Sequence, residues 1–394
     1  MTVAALQADL DRRGLRRPAY GTAGLGAVML GAAGALGIPV TTVDGETSTG
    51  SMKALGLPAA KRVCVVLVDG LGMRLLTERR GHARTLRDLL PGARTLSAPF
   101  PSTTAAALGV LGTGTSPGRT GLLGYSIRSS ATGQLANMLS WTNLPEPEQV
   151  QQEPTILESV VAAGARATAV GLARFETSGM TRAALRGARY AAGPTLSARV
   201  DQAVESLRAP GLTYLYVGEV DKAGHHHGWK SGEWGDALAE VDLEIGRLVR
   251  SVPRGTLVLV TADHGMVDVT GGSRWDVAHE PELARGVAVV AGEPRATHLY
   301  VEPGVDPVEV QSRWQGVLGS HAVVALRDDA VAAGLFGPVH ERALPNVGDL
   351  VVIMAKNAVV VDSASQTPAS MGLIGVHGSL TPDEMKIPLL VATA

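Results

Sequence analysis

Cysteine is nearly absent: Cys64 is the one thiol among 394 residues. This excludes an intramolecular disulfide framework and cysteine-rich zinc knuckles, so any bound metal must be held by histidines and carboxylates. Aromatic residues are scarce, at 4%, too few for rows of base-stacking platforms. Neither sign of charge is in excess. Lys and Arg total 35 against 37 Asp and Glu, which points to no nucleic-acid polymer and no acidic tail. Long apolar runs are missing too. Residues 19–43 carry no charge and follow Arg12, Arg13, Arg16 and Arg17, and Ala33-Gly34-Ala35 has the small-x-small form of a signal cleavage site. Asp9 and Asp11 spoil a basic leader, however, and glycines at 21, 24, 26, 31, 34 and 37 dilute the residues that drive membrane insertion. The expectation is an N-terminal extension, residues 1–60, packed on a cytoplasmic enzyme, with no membrane partner and export the weaker alternative. What the chain does have is 45% apolar residues and 48 glycines, enough for a large core with many tight turns.

Three apolar runs each end near an aspartate. Val63–Val68 leads into Asp69-Gly70, Tyr214–Gly218 into Glu219-Val220-Asp221, and Leu257–Ala262 into Asp263-His264-Gly265. Short continuous runs of this kind read as strands buried on both faces. Between them lie helical patterns, such as 236–252 with Leu238, Val241, Ile245, Leu248 and Val249 on one face. Strands alternating with helices predict a mostly parallel, doubly wound α/β sheet, which binds ligands at the carboxyl ends of its strands. Residues 61–394 are then one catalytic domain. Two stretches, near 120–210 and 270–345, read as cap-like insertions, the second with strands at 287–291 and 298–302.

Each motif has a bland reading and a chemical one. Asp69 could cap the next helix or reach a metal. Asp221 and His225, four apart, can share a metal from adjacent turns, with His226 and His227 as neighbours; the bland reading of the three histidines is a surface cluster, which a charged trio would disfavour by self-repulsion. Asp263-His264 puts two ligand types on one turn, while His377-Gly378 says little alone. In Pro101-Ser102-Thr103-Thr104-Ala105 one hydroxyl would suffice as a helix cap, and three are present. A hydroxyl at a helix N-terminus lies where the dipole favours an alkoxide and a phosphate. His82, His298, His321 and His340 lie in no ligand-spaced motif and read as structural or surface residues. His279 follows the Asp-His-Gly strand and is a candidate for the pocket.

In this order the motifs resemble the nucleotide pyrophosphatase/phosphodiesterase (type I phosphodiesterase) family of the alkaline phosphatase superfamily, from about residue 61 to 390. The family pattern is met by Asp69-Gly70, Thr104 with Thr113-Gly114, Asp221-x-x-Gly224-His225, Asp263-His264-Gly265 and His377-Gly378. The resemblance implies an alkaline-phosphatase-like central sheet with helices on both faces. It implies Thr104 as nucleophile and two divalent cations, one on Asp221, His225 and His377, the other on Asp69, Asp263, His264 and Thr104. Zinc is the expected ion and manganese the alternative. The implied activity is hydrolysis of phosphodiester or pyrophosphate bonds, on a small phosphodiester or nucleotide-like substrate, through a phospho-threonine intermediate. Rival readings are a phosphomonoesterase or other hydrolase of the superfamily, or a metal-binding member without turnover.

One departure matters. Where many members have an Asn that donates to a phosphate oxygen, this chain has Ala107, and no nucleobase-sandwiching aromatics are identifiable. Ala105, Ala106, Ala107 and Leu108 offer neither charge nor donor, so diesters or pyrophosphates are expected over monoesters, unless an arginine such as Arg174 or Arg274 folds over the site.

Overall fold

The computed structural model describes residues 2–269 and 274–394. Among these, seven strands form the main sheet. Their spatial order is Arg94–Ser97, Lys386–Thr393, Leu257–Thr261, Arg62–Val68, Gly211–Val217, Arg166–Gly171 and Arg189–Ala192. Arg62–Val68 pairs in parallel with both central neighbours, Val63 facing Leu257 on one side and Leu212 on the other. Lys386–Thr393 runs antiparallel to its two neighbours. From Val63 to Val68 every residue is buried, because both faces are covered. Helices Gly26–Ala35, Thr104–Thr113 and Ile156–Ala162 form one packed set against the sheet. Leu196–Ser206, Gly232–Ser251 and Arg84–Leu89 form another.

The uncharged N-terminal stretch has a packing explanation. Gly26–Ala35 is buried at nearly every position. A Cβ at Gly34 would collide with the Ser48 carbonyl of helix Ser48–Leu55, so glycine lets the two helices approach closely. Leu6, Leu10, Met29 and Leu30 join the core that holds the main sheet. No helix among the described residues is long and apolar enough to cross a membrane.

Residues 120–210 are not all cap. Arg166–Gly171 and Arg189–Ala192 are strands of the main sheet, aligned in parallel beside Gly211–Val217. Both are short and alanine-rich, lacking the run of large β-branched residues that marks the central strands, so their sheet membership depends on a distant partner. The hairpin of Ser126–Arg128 and Leu135–Asn137 does stand outside the sheet. In the stretch expected at 270–345, residues 270–273 lie outside the described residues. The rest builds an antiparallel sheet ordered Val287–Glu293, Ala296–Val301, Leu350–Met354 and Ala322–Leu326, which therefore runs past 345. Helix Pro307–Leu318 buries Trp314 against this sheet, giving it a separate small core with Leu299, Val324 and Val352.

Candidate active site

Strand ends deliver the acidic residues to one place. Asp69 leaves Arg62–Val68 and is followed by Gly70 at φ +74°, where a Cβ would lie 3.1 Å from Asp221 Cα, Cβ and Oδ1. Glycine thus lets two aspartate-bearing turns touch. Asp263 follows Leu257–Thr261 and its Oδ1 accepts the amides of Gly70 and His264, each at 3.0 Å. The Tyr216 hydroxyl donates to Asp69 Oδ2 at 2.6 Å. Helix Glu219–His227 carries Asp221 in its first turn and His225 one turn later.

The seven expected residues converge. Ligand atoms of Asp221, His225 and His377 lie within 4.8 Å of one another, as do those of Asp69, Asp263 and His264. His264 Nε2 is 3.4 Å from Asp69 Oδ1, 3.5 Å from Asp263 Oδ2 and 3.4 Å from Thr104 Oγ1. Its ring stacks on that of His377 with centroids 3.6 Å apart, which joins the two groups. His225 and His377 present Nε2 to Asp221 at 3.2 and 4.0 Å.

Second-layer contacts set the histidine tautomers. Nδ1 of His225, His264 and His377 lies 2.7, 2.9 and 2.9 Å from the carbonyls of Gly375, Gly265 and Ser102. A carbonyl only accepts, so each Nδ1 carries the proton and donates it, leaving Nε2 lone pairs aimed at the carboxylates in the neutral rings. Acceptors facing acceptors repel unless a metal ion, or without one a proton on Nε2, lies between them. Asp69 Oδ1, Asp221 Oδ1 and Asp263 Oδ2 are moreover buried without a hydrogen-bond partner. This donor set, nitrogen and carboxylate oxygen without sulfur, fits divalent cations of the zinc or manganese type.

Without cations the charges strain the site. Burial, then Asp263 and Asp221, holds Asp69 well above the usual carboxylate range. Burial opposes the charged form of Asp221 too, yet His225 and its hydrogen bond win and hold that carboxyl below its usual range. Against its own burial, His225 is lifted by Asp221 to about 9. Burial and the nearby His264 and His225 push His377 well below an ordinary histidine. Glu293, outside both groups but buried at the cavity wall, is raised by that burial to about 8, while its Oε1 accepts the Tyr125 amide at 2.8 Å.

Thr104 is the first residue of helix Thr104–Thr113, where helix amides are free. Ser102 locks this turn to the His377 loop. Its hydroxyl donates to the Ser379 carbonyl at 2.7 Å and accepts the Gly378 amide at 3.2 Å, and its own amide donates to the Gly378 carbonyl at 3.0 Å. Thr103 occupies the cap position but its hydroxyl makes no cap bond; it is buried, unpartnered and lines the cavity. Ala107 is buried in the core.

A cavity of about 610 Å³ opens beside Thr104, Asp69, Asp221, His225 and His377. Tyr125, Phe175, Tyr190 and Tyr216 lie on its wall, aromatics the sequence did not single out. They come from the position before the hairpin, a single 3-10 turn and two strands, so no spacing rule links them. The sequence also gave no role to Ser102, Tyr216 or Glu293; only the Pro-Ser-Thr-Thr cluster hinted at the first. His226 and His227 are exposed, and His279 is exposed and paired with Asp276 at 2.8 Å, outside the cavity lining. Of three arginines, two are engaged away from the site and one stands beside its wall. Arg119 pairs with Asp44, Arg174 lies over the Phe175 ring, and Arg274 donates to the Met371 carbonyl.

Residues 63–380 match the sequence model of the family described as type I phosphodiesterase / nucleotide pyrophosphatase. Human ectonucleotide pyrophosphatase/phosphodiesterase family member 7 is 38% identical over 63 residues, a stretch that spans 15% of this chain and only 14% of that protein. Two solved structures share the fold. An inactive variant of murine ectonucleotide pyrophosphatase/phosphodiesterase 5 in complex with AMP gives a TM-score of 0.67 at 16% identity, covering 83% of this chain and 87% of that one. Phosphonoacetate hydrolase from Sinorhizobium meliloti 1021 in complex with phosphonoformate also gives 0.67, at 20% identity, covering 90% and 93%.

Proposed function

The chain belongs to the type I phosphodiesterase / nucleotide pyrophosphatase family, and from that premise we propose that it is a metal-dependent hydrolase of phosphodiester or pyrophosphate bonds that works through a phospho-threonine at Thr104. The observation that carries this reading is the position of Thr104 Oγ1, at a helix N-terminus and 3.4 Å from His264 Nε2, beside two ligand groups. Asp221, His225 and His377 would hold one divalent cation. Asp69, Asp263 and His264, with Thr104, would hold the other. When bound, zinc or manganese lowers the pKa of a hydroxyl or water and neutralises developing negative charge.

The residues of the chain do the rest. Thr104 Oγ1 gives its proton up to solvent and forms a bond to phosphorus as the bond to the leaving oxygen breaks in line, and the leaving oxygen takes a proton back from solvent. The alcohol or phosphate leaves from the opposite side. Water then attacks the phospho-threonine, releasing the product and restoring the hydroxyl. The first turn of helix Thr104–Thr113 presents free amides toward the phosphoryl oxygens. Tyr216 holds Asp69, and the three backbone carbonyls hold the imidazoles, so little reorganisation is needed. The cavity accepts the second substituent of a small-molecule diester.

The test is nitrophenol release from a nitrophenyl diester by metal-free protein before and after addition of zinc or manganese. Turnover that appears only with metal supports the reading, and no turnover with either ion at full occupancy would sink it.

A further inference from the structure

Beside Thr104 stands a hydroxyl that the fold does not use. Thr103 is 1% exposed, and its Oγ1 is buried without a hydrogen-bond partner. A buried hydroxyl is rarely left so, because it gives up water and gains nothing in return. Thr103 also holds the N-cap position of helix Thr104–Thr113, where a threonine side chain ordinarily accepts an amide of the first turn. Thr2, Thr47, Thr195 and Ser231 make that bond at the heads of their helices. Thr103 does not, which leaves uncommitted both its hydroxyl and the amide it would have capped.

The backbone around it is fixed all the same. The Thr103 amide donates to the Pro101 carbonyl at 2.9 Å, and its carbonyl accepts the Ala107 amide at 2.9 Å. Ser102, one residue earlier, is tied to Gly378 and Ser379. Thr103 is thus held on rigid chain at the cavity wall, next to Thr104. Asp69 Oδ1, Asp221 Oδ1 and Asp263 Oδ2 share its condition, buried and unpartnered, and belong to the two ligand groups, where a bound cation would satisfy them. A hydroxyl differs from these oxygens in having a proton to give. At a helix N-terminus the expected recipient is an anion.

We propose, resting on the hydrolase reading above, that the Thr103 hydroxyl donates a hydrogen bond to a non-bridging oxygen of the phosphoryl group as that group passes to Thr104. Ala107, buried in the core, offers no donor for this purpose. The non-bridging oxygens spread into a plane between the attacking and leaving oxygens. A donor fixed to meet them there acts in the transition state more than in the bound substrate.

Thr103→Val keeps the branched shape and removes the hydroxyl. With metal-loaded protein and a nitrophenyl diester, kcat should fall by about 10²-fold, as for other oxyanion donors, with KM changed far less. Metal content should hold. The melting temperature should hold or rise, because an unsatisfied buried hydroxyl has become a methyl. Inhibition by orthovanadate, which adopts the five-coordinate geometry, should weaken by about the same factor as kcat. Thr103→Ser retains the donor and should recover most of the loss. Unchanged kcat in Thr103→Val would overturn the assignment, as would a Thr103→Ser protein equally slow. Loss of metal from Thr103→Val would make the hydroxyl a ligand, and a lower melting temperature with vanadate inhibition unchanged would make it structural; either result overturns the proposal. Thr103→Val should also remain faster than Thr104→Ala. The reverse order would move the attack to Thr103 and end both the inference and the Thr104 assignment, whereas wild-type protein that turns over no diester with metal bound would remove the hydrolase reading itself.

Discussion

At the scale of single residues, position rather than identity separates the three hydroxyls of Ser102-Thr103-Thr104. Ser102 is structural: its hydroxyl bridges the Ser379 carbonyl and the Gly378 amide, and its carbonyl orients His377. Ser102→Ala should therefore cost about 1–3 kcal/mol in denaturant unfolding, because a buried amide and carbonyl lose their partner. The freed His377 loop should also weaken metal affinity by about 10–100-fold, readable by competition with a chelator. Thr104→Ala should behave oppositely. It would remove the proposed attacking oxygen and one weak proposed ligand, so turnover should fall by on the order of 10³ or more while metal content stays high. A Thr104→Ala protein that still turns over would place the nucleophile elsewhere.

Among elements, the antiparallel sheet of Val287–Met354 depends on buried polar contacts to stay seated over the site. His298, in strand Ala296–Val301, lies between the Leu123 carbonyl at 3.1 Å and the Gly348 amide at 3.0 Å. Burial lowers its pKa from 6.5 to about 4. The folded state thus resists the proton that the unfolded chain accepts. Its contribution is complete above pH 6.5 and is lost as pH falls through about 4. The amount is about 3 kcal/mol. Urea unfolding at neutral pH and at about pH 4.5 should show a steeper stability loss for wild type than for His298→Gln; parallel losses would contradict it. The bidentate pair of Arg295 with Glu384 is fully buried and joins this sheet to the C-terminal segment. Removing only Arg295 should cost about 3–5 kcal/mol, since Glu384 would keep an uncompensated charge.

For the whole molecule, the crowding of Asp69, Asp221 and Asp263 should couple stability to the proposed metal binding. Protein stripped by chelator should melt below the metal-loaded form. Zinc at about 100 times its Kd should add about 2.7 kcal/mol by mass action. Asp263→Ala should lose both the melting shift and the activity, because one ligand group falls to two residues; full occupancy and turnover in that variant would end the two-site reading.

Motif order in the sequence was enough for the central strands and the family and picked out the seven residues that converge; Asp69 and Asp263 in particular follow short local signals, an apolar run and then Asp-Gly or Asp-His-Gly. The glycines of the uncharged stretch at 19–43 were legible too, but only the structure shows Gly34 letting its helix approach Ser48–Leu55. Other features needed the tertiary structure. Arg166–Gly171 and Arg189–Ala192 became sheet strands only by pairing next to Gly211–Val217. The second cap gained Leu350–Met354 through pairing with Ala296–Val301 and Ala322–Leu326. Ser102 acquired its role from residues about 275 positions away, and Thr103 from the lack of any partner. The cavity wall is assembled from segments far apart in the chain. Local chemistry specifies what each strand end carries, whereas long-range packing decides what faces it, and substrate choice depends on the latter.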